Sequence, residues 1–177
     1  DWSSDVCSSD LFGAVPRVMT RAVGVAGVLV TSRSSQNAAT VEFGVPELGW
    51  RAFLQVVPRP LAISRTLDYL LAQPAWAARI DGTRIGGFGA SMGGEAMLLA
   101  MGARLTQSYS TLSSRTVQNE PRIKAAAGYV PYAGLSFLPA FGNDQSGVEG
   151  VAKPWMAVSG TADTTAPIRM TEQAINR

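Results

Sequence analysis

The chain has 177 residues, 46% of them hydrophobic and 16% charged, and a formal net charge of +2. That length and balance suit one globular domain able to bury a core, and exclude disorder, collagen and coiled coil. It contains no histidine, which removes the commonest general base and the commonest metal ligand together.

Residues 1–11, DWSSDVCSSDL, resemble codon for codon the in-frame translation of a short-read sequencing adapter, and are read as a non-native segment. Setting Asp1, Asp5 and Asp10 aside raises the net charge from +2 to +5 and also removes Cys7, the single cysteine. Without it there is no disulfide framework, thiolate nucleophile or cysteine metal site. An adapter junction implies that residues 12–177 are a partial domain, an internal piece of a longer chain. Residues 173–177 accordingly read as an unfinished helix. Thirteen arginines stand against two lysines but are scattered singly, without interleaved aromatics, which argues against a nucleic-acid surface.

Residues 14–23 suit a short helix with Pro16 in its first turn, and residues 26–31 a buried strand. Residues 19–30, with Arg21 ahead of an apolar run, also mimic a signal peptide, so the compartment stays open. Arg17, Arg21 and Arg33 bracket that run, residues 22–30, well short of the roughly 18 residues of a membrane span. Residues 32–49 form a polar loop. After Pro60, apolar residues at 61, 63, 67, 70 and 71 share one helical face. Residues 84–89 predict a short strand, 92–103 a helix, and 122–130 and 154–159 two more apolar strands. Strands alternating with helices predict the α/β class, with a mostly parallel sheet covered by helices on both faces.

The chemistry concentrates at Gly89-Ala90-Ser91-Met92-Gly93. A G-x-S-x-G run between strand and helix puts a serine on a sharp turn, with glycines where a Cβ would strike neighbouring backbone. The turn exposes the hydroxyl. The helix beginning there favours an oxyanion through its unsatisfied N–H groups and dipole, and the N–H of Met92 is the expected donor. The bland reading is a glycine-rich turn. Glu95, one turn into that helix, is expected on its surface.

The segment from Ile85 to Gly94, together with Ser159-Gly160-Thr161-Ala162-Asp163-Thr164 after a later strand, resembles the α/β-hydrolase superfamily, closest to its dienelactone hydrolase-like and cutinase-like polyester hydrolase branches. The likeness runs over residues 28–177. It implies Ser91 as nucleophile and Asp163, 72 residues on, as the acid of a Ser, Asp, His series. The histidine would then lie beyond Arg177 and the first oxyanion donor before Leu11, leaving the 177 residues nearly inactive by themselves. The implied activity is that of a serine hydrolase of carboxylic esters, working without cofactor or metal.

Asp163 has a plainer reading as a turn or cap residue ahead of the helix that Pro167 opens. Asp144 is a second candidate for the acid. Tyr129, Tyr132 and Phe137 follow the strand at residues 122–130, where loops at the carboxyl ends of parallel strands form a crevice. They suit an apolar acyl or alcohol group, or equally a loop packed on the domain edge. Trp155 is expected in the core. A serine–lysine site is disfavoured, since Ser-x-x-Lys is absent and Lys124 and Lys153 lie far along the chain.

Two other classes compete. Gly87, Gly89 and Gly93 after a strand suggest a nucleotide-binding module, but Met92 stands where the dinucleotide fingerprint wants glycine or alanine, and residues 108–112 lack its acidic residue. A hydrolase fold that has lost catalysis would serve as a binding scaffold.

Overall fold

The computed structural model describes residues 57–177, together with the backbone of two earlier strands, β1 (Arg17–Thr20) and β2 (Ala26–Leu29). The expected segment 1–11 and the polar loop at 32–49 lie outside the described residues. β1 and β2 pair antiparallel, Arg17 opposite Leu29 and Thr20 opposite Ala26. The helix expected over residues 14–23 is therefore corrected: Val18 and Thr20, both β-branched, lie in a strand, because cross-strand pairing overrides weak local helix preference.

Helix α1 (Pro58–Ala72) carries Pro58 and Pro60 in its first turn, where a missing N–H costs nothing. It stops at Gln73, extended at φ −89° and ψ 118°, because Pro74 disfavours a helical residue before it. A single-turn helix, α2 (Pro74–Ala77), follows. Asp81 then tightens the entry to the sheet, its Oδ1 accepting the Thr83 N–H at 2.9 Å.

Three strands form the parallel sheet: β3 (Ile85–Ala90), β6 (Ile123–Tyr129) and β9 (Trp155–Val158), in that spatial order. The register sets Phe88, Ala127 and Met156 in one row across the sheet, and Ala90, Tyr129 and Val158 in another. Helix α3 (Met92–Ala100) leaves β3 at once and lies against β3, β6 and α1. It is buried from Gly94 to Ala100, Glu95 included. Gly87 admits it closely, since a Cβ there would strike Met97. This is an α/β arrangement of a parallel three-stranded sheet with helices.

Among the described residues the expected mostly parallel character holds for this sheet alone. β4 (Arg104–Ser108) and β5 (Ser113–Thr116) make an antiparallel hairpin, as do the two-residue strands β7 (Gly134–Leu135) and β8 (Leu138–Pro139). A 3-10 segment (Asn143–Val148) leads toward β9, and helix α4 (Ile168–Ile175) follows it. At the C-terminal end of α4 the Asn176 N–H reaches the Glu172 carbonyl at 3.0 Å.

Among the described residues two apolar clusters make the core. One joins Leu98, Leu99, Leu105, Phe141 and Met170; the other joins Met97, Met101, Ile123 and Ala126, and the half-buried Trp155 packs against both. On the opposite side of the sheet Phe88 is 71% exposed and Met156 61%.

Candidate active site

Parallel strands send their carboxyl ends the same way, so the loops after β3, β6 and β9 meet at one end of the sheet. Ser91 follows β3, residues 130–132 follow β6, and residues 159–163 follow β9.

Ser91 sits at φ 50° and ψ −120°, a conformation that side-chain-bearing residues rarely adopt and that costs about 1–3 kcal/mol. Its backbone is held on both sides. The N–H donates to the Tyr129 carbonyl at 2.9 Å, while the Ser91 carbonyl accepts from Gly94 at 2.9 Å, Tyr132 at 3.0 Å and Glu95 at 3.3 Å. The side chain is exposed and does not cap α3. A cap would be the ordinary use of a serine at this position; here the hydroxyl is left for other work.

The glycines divide differently from the sequence expectation. A Cβ on Gly89 would strike the Gly93 carbonyl, so position 89 is confined to glycine. Gly93 has open space around its own Cβ position. The second confined position is Gly94, where a Cβ would come within 2.7 Å of the Pro131 side chain. Gly93 is therefore not needed for clearance, because the crowding comes from the crossing loop at Pro131.

Met92 is the first residue of α3, so its N–H has no helical carbonyl four residues back. That group and the positive end of the helix face the region of Ser91. Val130 also has positive φ, 46°, an outlier for a β-branched residue, and its N–H donates to the Val158 carbonyl at 2.6 Å. Strained backbone thus ends both β3 and β6 at the same edge.

Tyr129 and Tyr132 lie beside the turn through the Ser91 backbone bonds, the first 55% exposed and the second half-buried. Phe137, 74% exposed, sits at the tip of the β7–β8 hairpin. That hairpin is held from below. Gln145, fully buried, accepts the Phe141 N–H at 3.0 Å and donates to the Ala133 carbonyl at 2.6 Å. Thr106 donates to the Pro139 carbonyl at 2.6 Å and accepts the Gly142 N–H at 2.7 Å.

Asp163, half-buried, accepts the N–H groups of Thr165 and Ala166 on Oδ1, at 2.8 and 2.7 Å. It does serve a turn, but one ahead of Pro167 rather than the first turn of α4. Both bonds fall on Oδ1, leaving Oδ2 for another donor. Asp144 is exposed and engaged with the chain end, accepting from Gln173 at 3.4 Å and, through its carbonyl, from Arg177 at 2.8 Å.

Two groups escape the sequence reading. Ser159 Oγ, at the carboxyl end of β9, is buried without a hydrogen-bond partner. Glu95 is not on the helix surface: it is 2% exposed, with Oε2 buried and unpartnered. Burial pushes its carboxyl up to about 8, and the charge of Arg59 on α1 offsets part of that rise. Tyr132 and Tyr109 are raised from the ordinary tyrosine range, first by burial and then by Glu95. No periodicity marks Glu95 as buried, since α3 is enclosed on every side.

The depression lined by Gly102, Arg104, Thr116, Asn119 and Glu149 shares no residue with this edge of the sheet. Among the described residues no helix is long and apolar enough to cross a membrane. No family model matches the chain, and no curated protein matches it.

Proposed function

We propose that the chain carries the nucleophile and acid of a serine hydrolase acting on carboxylic esters, within an α/β-hydrolase-type domain. The observation that carries this reading is Ser91: an exposed, uncapping hydroxyl on strained backbone between a parallel strand and the N-terminus of a buried helix.

Ser91 Oγ attacks the ester carbonyl and gives up its proton to a base. The carbonyl oxygen becomes an oxyanion, received by the Met92 N–H and the positive end of α3. Collapse of the tetrahedral intermediate expels the alcohol, which takes the proton back, and leaves an acyl-enzyme that water hydrolyses. The base is a histidine, which these 177 residues do not contain. Asp163 would accept its Nδ1–H on Oδ2 and hold its tautomer. Tyr129, Tyr132 and Phe137 border the space that an apolar acyl or alcohol group would fill. A nucleotide-binding reading loses ground, because Gly87 and Gly89 admit Met97 and the Gly93 backbone rather than an anion.

Supplying the missing base from solution tests the proposal. With imidazole present, a fluorophosphonate probe is expected to label the chain at Ser91, and Ser91→Ala is expected to abolish the label. A folded chain whose labelling is absent, or unchanged by Ser91→Ala, would overturn the reading. Ester turnover without imidazole, lost in Ser91→Ala, would show that no histidine is required.

A further inference from the structure

One turn on from Ser91, α3 carries a buried acid that the proposed chemistry does not use. Glu95 is four residues into the turn and helix that Ser91 begins, its N–H donates to the Ser91 carbonyl at 3.3 Å, and its Oε2 is enclosed without a partner. The ionisable groups around it come from three directions: Arg59 from α1, Tyr109 from the β4–β5 turn, and Tyr132 from the loop after β6. The β3 strand, against which α3 lies, carries no charged residue.

The positive end of α3 can stabilise one anion well but not two in close proximity. We propose that Glu95 is a positioning residue of the Ser91 site: as the neutral acid it leaves the helix end free for an oxyanion at Met92, and as the carboxylate it opposes one. The catalytic part of this inference rests on the serine-hydrolase reading; the electrostatic part does not.

The direction with pH follows. An acid raised by burial to about 8 is neutral below that pH and charged above it, so Ser91 is served best on the acidic side. The charge of Arg59 softens the switch without removing it, because it offsets only part of the burial.

The test has two readouts on the 177-residue chain. Carbon-13 labelling of glutamate, assigned with Glu95→Gln, follows the Glu95 carboxyl while amide resonances of Met92 and Tyr132 are recorded over the same titration. A carboxyl midpoint well above the ordinary range, shared by the Met92 amide and lost from it in Glu95→Gln, is the expected result. An ordinary midpoint, or a Met92 amide indifferent to Glu95, would overturn the inference, and the wild-type titration decides this without any variant. The second readout is the rate of imidazole-supported phosphonylation of Ser91, corrected for the free-base fraction. Glu95→Gln is expected to match the wild type on the acidic side and to exceed it about tenfold on the alkaline side. Equal rates at both ends overturn the proposed role in the reaction. Absence of labelling at any pH, with the amide titration intact, instead removes the hydrolase reading and leaves the coupling of Glu95 to Met92 standing.

Discussion

The Tyr132 N–H donates to the Ser91 carbonyl at 3.0 Å, so the loop after β6 is bonded to the backbone of the strained serine. Ser91 returns the connection through its own N–H to the Tyr129 carbonyl at 2.9 Å. Two loops from neighbouring strands thus hold each other in conformations that neither would keep alone. This mutual bonding is the physical reason a residue at φ 50° persists here.

The two outer glycines of the turn should respond oppositely to a methyl group. Gly89→Ala drives a Cβ into the Gly93 carbonyl, which only backbone movement relieves, and should cost about 3 kcal/mol or more. Gly93→Ala meets open space in the first turn of α3 and should stabilise by about 0.5–1 kcal/mol. Urea unfolding of both variants checks the contrast, and equal losses would contradict the crowding described at position 89.

Gln145, buried and bonded at both ends of its amide, should contribute strongly to stability. Gln145→Leu leaves the Phe141 N–H and the Ala133 carbonyl buried without partners, at about 1–3 kcal/mol for each group. A combined loss of about 2–4 kcal/mol is expected, with faster hydrogen exchange at Phe141 and Gly147. Unchanged exchange would mean that the loop under Phe137 does not depend on this side chain.

The acid limb of stability should belong largely to Glu120. Its carboxyl, 3% exposed, is held down to about 2, chiefly by the hydrogen bond from the Arg122 guanidinium. Arg122 reaches Glu120 Oε1 at 2.6 Å through Nε and Asp68 on α1 at 2.8 Å. A carboxyl lowered in the folded state stabilises above its ordinary value of 4.5, and that stability is lost as pH falls toward about 2. Arg122→Ala strands a buried carboxylate and should cost about 3 kcal/mol near neutrality, with a flattened acid limb. Thermal unfolding against pH measures both effects. An acid limb unchanged in the variant would place its origin elsewhere.

Much of this framework was written locally. The helical face at 61, 63, 67, 70 and 71 appears as α1, and the glycine-rich run after Arg84 as β3. The apolar runs at 122–130 and 154–159 appear as β6 and β9. The turn at Ser91 was legible because G-x-S-x-G requires backbone freedom at position 89, whatever the rest of the chain does. The β4–β5 hairpin was missed because Arg104–Ser108 and Ser113–Thr116 are short and largely polar, and their pairing depends on the buried bonds of Thr106 to Pro139 and Gly142.

Sequence alone therefore determined the strand–serine–helix turn, the positions of the three parallel strands and the absence of any histidine. Each depends on residue type and on neighbours within a few positions. Tertiary structure decided that Gly94 rather than Gly93 must be bare, because Pro131 crosses it from 37 residues away. It also decided that Glu95 is buried, because burial of a side chain on an enclosed helix depends on α1 and the loops after β4 and β6, none of them adjacent in sequence. Local patterns specify elements, whereas the electrostatics of a site depend on what packs around it once those elements have closed.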